Sequence, residues 1–209
     1  MPASKRDVVF LVADGSMEQM VRGFVGEQKA HLKLGCGRFT VEPTDIVVAS
    51  RRDPEVYGLA HQLLRPYATT HRHAVVMLDN DWEGSPGVKK IRDRIAKNVG
   101  QEWDEYAVIV LDPELEAWVW QDNPSLAPAL GCPPNFRQLL ATSGHWPVGQ
   151  AKPADPKKAL EYLRRRHRAD PSKAVFRRVA GRVSVRNCTD GAFLQLRDTL
   201  RDWFPEETL

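Results

Sequence analysis

A mainly parallel α/β sheet flanked by helices is the fold class this sequence predicts, and three observations predict it. Four apolar runs, within residues 7–13, 45–50, 74–78 and 106–111, lack the polar alternation of a half-exposed strand, as strands buried on both faces do. Between them lie stretches whose apolar residues recur at helical spacing. Each junction carries a turn or cap signal. Strand–helix alternation of this kind folds as a parallel sheet with right-handed crossovers. Ligands of such sheets bind beyond the carboxyl ends of the strands, so the residues that follow each run matter most.

Asp7–Ala13 is the first strand. In Asp14-Gly15-Ser16-Met17-Glu18-Gln19, Gly15 permits a tight turn, and Ser16 with Gln19 fits a capping box that starts a helix. Met17, Met20, Val21, Phe24 and Val25 give that helix an apolar face running to about Leu32. Asp14 is left at the strand's end. Glu18 falls in the helix's first turn, where an acid also simply complements the helix dipole. Residues 34–44 read as a loop with a short strand at Phe39–Val41. Asp45–Ser50 is the second strand, and Pro54–Arg65 is a helix closed by Pro66. His71 and His73 alternate at the start of the next strand, either as a metal pair or, the usual case there, facing solvent.

Ala74–Leu78 then runs into Asp79-Asn80-Asp81. Two carboxylates one residue apart at a strand's carboxyl end repel each other and favour a hard cation such as Mg²⁺. The alternative is that Asp79 caps a turn and Asp81 is solvated. Ser85 as a cap and Pro86 at the first helical position open a helix marked by Val88, Ile91, Ile95 and Val99. Tyr106–Leu111 is the fourth strand. Asp112 as cap and Pro113 as helix start put Glu114 and Glu116 in an opening turn, where the dipole again accounts for acids without a ligand. Acids at three strand ends are harder to dismiss than acids at one.

The rest of the chain carries charge rather than motif. Residues 121–149 are rich in Pro, Gly and Asn and read as a connection with a short helix at Asn135–Thr142. His145-Trp146 reads as a packed indole beside an exposed imidazole, with proton transfer or base stacking as the alternative. Asp155–Arg168, Pro171–Ala180 and Asp190–Phe204 read as helices, the last amphipathic and packed back on the core. Between Ala151 and Asn187 twelve Lys/Arg face three Asp/Glu, within a chain whose net charge is +3, so the remainder is net acidic. An acidic site beside a basic arm suits phosphodiester chemistry. A solvated basic surface with no polynucleotide partner is the other account. The 3 cysteines are far apart and fit neither a disulfide framework nor a Cys-x-x-Cys zinc pair. No run approaches the ~18 apolar residues of a membrane span, and Met-Pro-Ala-Ser-Lys-Arg-Asp lacks a signal peptide's apolar region. The expected location is cytoplasmic. There is no internal repeat, P-loop, zinc signature or Gly-x-Ser-x-Gly elbow.

Three motifs in order carry a resemblance. Asp14-Gly15-Ser16-Met17-Glu18, Asp79-Asn80-Asp81 and Pro113-Glu114-Leu115-Glu116-Ala117-Trp118 resemble the pattern Glu-Gly-x-Thr-Glu, Asp-x-Asp, Pro-Glu-x-Glu-Ala-Trp. That pattern belongs to small bacterial Toprim-like proteins associated with ATPases in defence loci, related to the overcoming-lysogenization-defect nucleases. The resemblance covers about residues 7–121. It implies a Toprim/Rossmann-like domain over 1–121; the residues beyond read by themselves as a connection and a helical, basic C-terminal extension over 122–209. It also implies Mg²⁺- or Mn²⁺-dependent cleavage of DNA or RNA. Asp79 and Asp81 would hold metal with Glu114 or Glu116, and Asp14 or Glu18 would ligate a second ion or accept a proton; outside the resemblance, the basic segment offers Arg164, Arg165, Arg166, Arg168, Arg177 and Arg178 to grip the nucleic acid. An ATPase is the implied protein partner. Asp14 departs from the family's glutamate and is one methylene shorter, which puts its reach as a base in doubt. Two other functions stay open. One is a catalytically degenerate module that binds the ATPase, and the other is an enzyme for small phosphate or nucleotide substrates.

Overall fold

β-Branched and aromatic residues build four strands, β1 (Arg6–Val12), β2 (Ile46–Val48), β3 (His71–Asp79) and β4 (Tyr106–Leu111). In the computed structural model they form one all-parallel sheet in the order β2-β1-β3-β4. The described residues are 5–26, 30–121, 123–185 and 188–206. Arg186 of the basic segment and position 122 at the expected domain boundary lie outside them.

The central pair is β1 and β3. Residues 8–12 of β1 and 74–78 of β3 are fully buried, which is why neither strand shows alternation. The pairing sets Val9 beside Ala74 and Val12 beside Met77. By the same register Asp14 is level with Asp79. From β1 the chain steps outward to β2, then crosses back over β1 to β3 and on to β4. The order therefore reverses between β1 and β3, and the crevice at such a switch point is where open α/β sheets bind ligands.

Helices cover both faces. Of α1 (Gly15–Val25), α2 (Ala30–Leu34), α3 (Arg52–Leu64) and α4 (Val88–Val99), the last two pack on each other and on the sheet. The C-terminal half supplies α5 (Leu126–Leu130), α6 (Phe136–Thr142), α7 (Pro156–His167), α8 (Ala174–Arg182) and α9 (Gly191–Trp203). α8 lies along α1, close enough that a Cβ on Gly23 would stand 2.5 Å from the Arg177 carbonyl oxygen and 2.6 Å from the Ala180 Cβ. α9 packs against β4. Its Gln195 Nε2 donates to the Val108 carbonyl at 3.2 Å, covering an acceptor on an edge strand that would otherwise invite another chain. The apolar faces of α7, α8 and α9 share one hydrophobic core with the sheet.

Several local expectations are corrected. The cap of α1 is Asp14 rather than Ser16: its Oδ1 accepts from the Ser16 and Met17 backbone N–H groups at 2.8 and 2.9 Å, as a good N-cap does. α1 ends at Val25 instead of running to Leu32. Phe39–Val41 forms no strand, and Phe39 instead stacks on Phe204 at 4.8 Å. Ser85 closes a turn by accepting from Gly87 N–H at 3.3 Å, and α4 starts only after Gly87, at φ 92. His71 and His73 do not meet solvent, being 0% and 6% exposed. His71 Nε2 lies 3.1 Å from buried Asp45, and His73 stacks on Trp203 at 4.5 Å. Burial there holds the His73 pKa below its ordinary value. The two imidazoles begin β3 and Asp79 ends it, about 20–26 Å away at a strand's rise.

Candidate active site

Each acid of interest is positioned by its backbone. Asp79 is the last residue of β3, opposite Leu111 of β4. The turns after these two strands are zipped together, because the Pro113 carbonyl accepts from Asn80 N–H at 3.1 Å and Asp81 N–H at 2.8 Å. The Asn80 side chain extends the zip, donating to Asp112 at 3.0 Å and accepting from the Ser85 hydroxyl at 3.2 Å. With its carbonyls so used, the segment after Pro113 stays extended (Glu114 φ −161, ψ 171) and then makes a single 3-10 turn, Leu115–Trp118. The expected α-helix with Asp112 as cap is therefore absent, and with it the dipole that would have explained Glu114 and Glu116. Asn80, in the middle of the Asp-x-Asp motif, is the staple of this corner.

Four carboxylates act on Asp79. Burial first, then Asp53, Glu116, Asp14 and Glu114, raise its pKa well above the ordinary value. Its Oδ1 is sealed from solvent and has no hydrogen-bond partner, an uncommon state for a buried polar atom. Glu116, partly buried, is pushed up to about 7 by burial and by its neighbour Glu114. Glu114 is 4% exposed. Burial raises its pKa too, against the pull of Lys157. Lys157 meets it twice, through its backbone N–H at 3.1 Å and its Nζ at 3.4 Å. Asp81 is exposed and lines a cleft of about 390 Å³ together with Glu114, Lys157, Lys158 and Glu161.

Two participants escape a motif search. Asp53, in the first turn of α3, accepts the Asp79 backbone N–H at 2.8 Å and has a raised pKa, through burial first and Asp14 among the charges. Its signal was an acid directly before the Pro54 that marked a helix start. Lys157 belongs to the first turn of α7, whose N-cap is Asp155. Trp120 holds that turn in place by donating its Nε1 hydrogen to the Pro156 carbonyl at 3.1 Å. Burial works against the Lys157 charge, but Glu114 and Glu116 outweigh it and raise the pKa. A second lysine, Lys173, lies against Gly15 on the Asp14 side, where a Cβ would stand 2.9 Å from its Nζ.

The remaining expected residues are dispersed. Glu18 is held by Arg22 in an ion pair of 2.8 Å, and Arg22 also donates to the Pro43 carbonyl at 3.2 Å. Among the arginines, Arg165 and Arg166 are exposed beside a cleft next to the acidic one. Arg164 turns to the Asp170 carbonyl at 3.4 Å, Arg178 pairs with the Asp170 carboxylate, and Arg168 is the left-handed C-cap of α7. Arg177 lines a separate cleft with Arg22 and Glu42.

Among the described residues no three His, Cys, Asp or Glu side chains stand together as a ready metal cage. Mg²⁺ does not require one, since it keeps several waters and binds through one or two carboxylates plus substrate phosphates. The donor set fits such an ion: oxygen ligands only, mutually repelling, with one buried oxygen left without a partner. No described helix is long and apolar enough to cross a membrane.

No family model and no curated protein sequence matches the chain. Among solved structures, the chain is similar to the C-terminal region of the Burkholderia pseudomallei OLD protein at 14% identity and a TM-score of 0.49, over 95% of this chain and 98% of that one.

Proposed function

We propose that this protein cleaves phosphodiester bonds of nucleic acid with the help of Mg²⁺ or Mn²⁺. The observation that carries the reading is the partnerless, buried Asp79 oxygen, set at the sheet's switch point among Asp14, Asp53, Glu114 and Glu116. Such a concentration of negative charge is costly unless a cation joins it.

Asp79 and Asp81 would hold the ion, its remaining positions taken by water and the substrate phosphate. When bound, a divalent ion stabilises charge on the phosphate and lowers the pKa of an attacking water. Glu116, beside that set, would be the carboxylate that takes a proton from that water. Glu18, which the motif offered for that task, is engaged by Arg22. Lys157 brings a positive charge to the mouth of the cleft, where a phosphate would approach Asp81.

A second reading is favoured by one observation. Asp14 spends its Oδ1 on capping α1, as a structural residue does, which suits a degenerate module whose role is to bind an ATPase of a defence locus. Labelled single- and double-stranded DNA and tRNA, incubated with Mg²⁺ or Mn²⁺, distinguish the two. Cutting that requires metal and disappears in Asp79→Asn supports the enzyme. Silence of the wild type, with the ATPase present as well as without it, rejects the enzyme in favour of the binding module.

A further inference from the structure

α7 presents Lys158, Glu161, Tyr162, Arg165 and Arg166 at spacings that put them on one helical face. With His145 they line a cleft of about 360 Å³. Lys158 and Glu161 also line the acidic cleft, so the two hollows are neighbours along the helix. Each falls within the ~300–1,000 Å³ of small-ligand sites, and together they accommodate consecutive units of a chain. The far hollow has two kinds of surface. One is cationic. Lys158 is paired with Asp155 at 2.7 Å and Arg165 with Glu161 at 3.4 Å, exposed pairs of the weakly held kind that a phosphate can displace. Arg166 has no carboxylate partner among the described residues. The other surface is aromatic: the His145 and Tyr162 rings lie 4.7 Å apart, tilted 43° to each other.

We propose that this face of α7 is the track of a single-stranded polynucleotide, with phosphates on Lys158, Arg165 and Arg166 and one base against the His145–Tyr162 pair. The inference rests on the phosphodiester reading above and adds the substrate's form and direction of approach. A duplex keeps its base faces stacked inside, so a ring pair in a basic cleft serves only a strand whose bases are splayed out. The track uses two of the six arginines expected from the sequence. Arg177, on a separate cleft, is excluded.

The test is fluorescence anisotropy with a short labelled oligodeoxynucleotide, single-stranded or annealed, in EDTA at physiological salt. The wild type is expected to bind the single strand roughly tenfold or more tighter than the duplex. Arg165→Glu with Arg166→Glu should weaken that binding roughly 100-fold and lower the salt slope by about 1.4. His145→Ala should weaken it about tenfold, and Arg177→Glu should change nothing. Equal affinity for duplex, or an unchanged double variant, overturns the track. If Asp79→Asn then still abolishes metal-dependent cleavage, the phosphodiester reading survives that failure. A wild type that does not bind and does not cut, with the ATPase present as well as without it, overturns both.

Discussion

Glu116→Gln removes a charge that the acidic cleft holds against its own repulsion. The carboxyl stands at about 7 rather than 4.5, first because it is buried and then because Glu114 lies beside it. A carboxyl raised in the folded state keeps a proton that the unfolded chain has already released. Stability therefore falls as pH climbs from the unfolded value to the folded one, and above that the loss is complete. Each pH unit in the window is worth ~1.4 kcal/mol, so the ionised Glu116 costs the metal-free fold about 3 kcal/mol. Glutamine has the same shape and no charge. In EDTA at about pH 8, Glu116→Gln is expected to exceed the wild type by about 2–3 kcal/mol, a Tm gain on the order of 5–10 °C for a chain of this length. At about pH 4 both side chains are neutral and the difference shrinks toward zero. Urea unfolding followed by tryptophan fluorescence reads both conditions. Added Mg²⁺ should stabilise the wild type more than the variant, since a ligand stabilises only the state that binds it. A variant less stable than wild type at the higher pH, or a gain that does not depend on pH, would refute the argument that charge is confined at this site.

Two further substitutions examine the supports of the cleft. Gly23→Ala inserts a methyl where α1 and α8 already touch, and overpacking against backbone is expected to cost about 1–3 kcal/mol in urea unfolding; a neutral result would mean that α8 does not rest on α1 as described. Asp53→Ala strips the acceptor from the Asp79 N–H, whereas Asp53→Asn keeps an oxygen there and discards a charge. Asn should therefore be the more stable of the two by about 1–3 kcal/mol, and equal stability would show that the bond is dispensable.

Much of the fold was legible because buried parallel strands have no face to alternate. Residues 8–12 and 74–78 could be read as apolar runs for the same reason that they are fully buried. Helix boundaries were less legible, since they depend on which of several competent side chains reaches the free N–H groups. Asp14 and Ser16 both make good caps, and the strand preceding Asp14 decided between them. The 3-10 turn after Pro113 was hidden for a related reason: its carbonyl is recruited by Asn80 and Asp81, 33 and 32 residues earlier in the chain.

By itself the sequence determined the chemical character of this protein: acids at the carboxyl ends of apolar strands, and a basic arm elsewhere. Those are properties of residue type and local period, which survive without knowledge of neighbours. Only the tertiary structure decided which acids share a space. The order β2-β1-β3-β4 makes β1 and β3 neighbours, and that adjacency brings Asp14 to Asp79. The crossover through α3 adds Asp53, and Trp120 pins the turn that delivers Lys157. Helix packing likewise sorted the arginines, sending Arg178 to Asp170 and leaving Arg165 and Arg166 beside the cleft. Strand order and helix packing are settled by burial of apolar surface across the whole chain, and that is a sum no single motif contains.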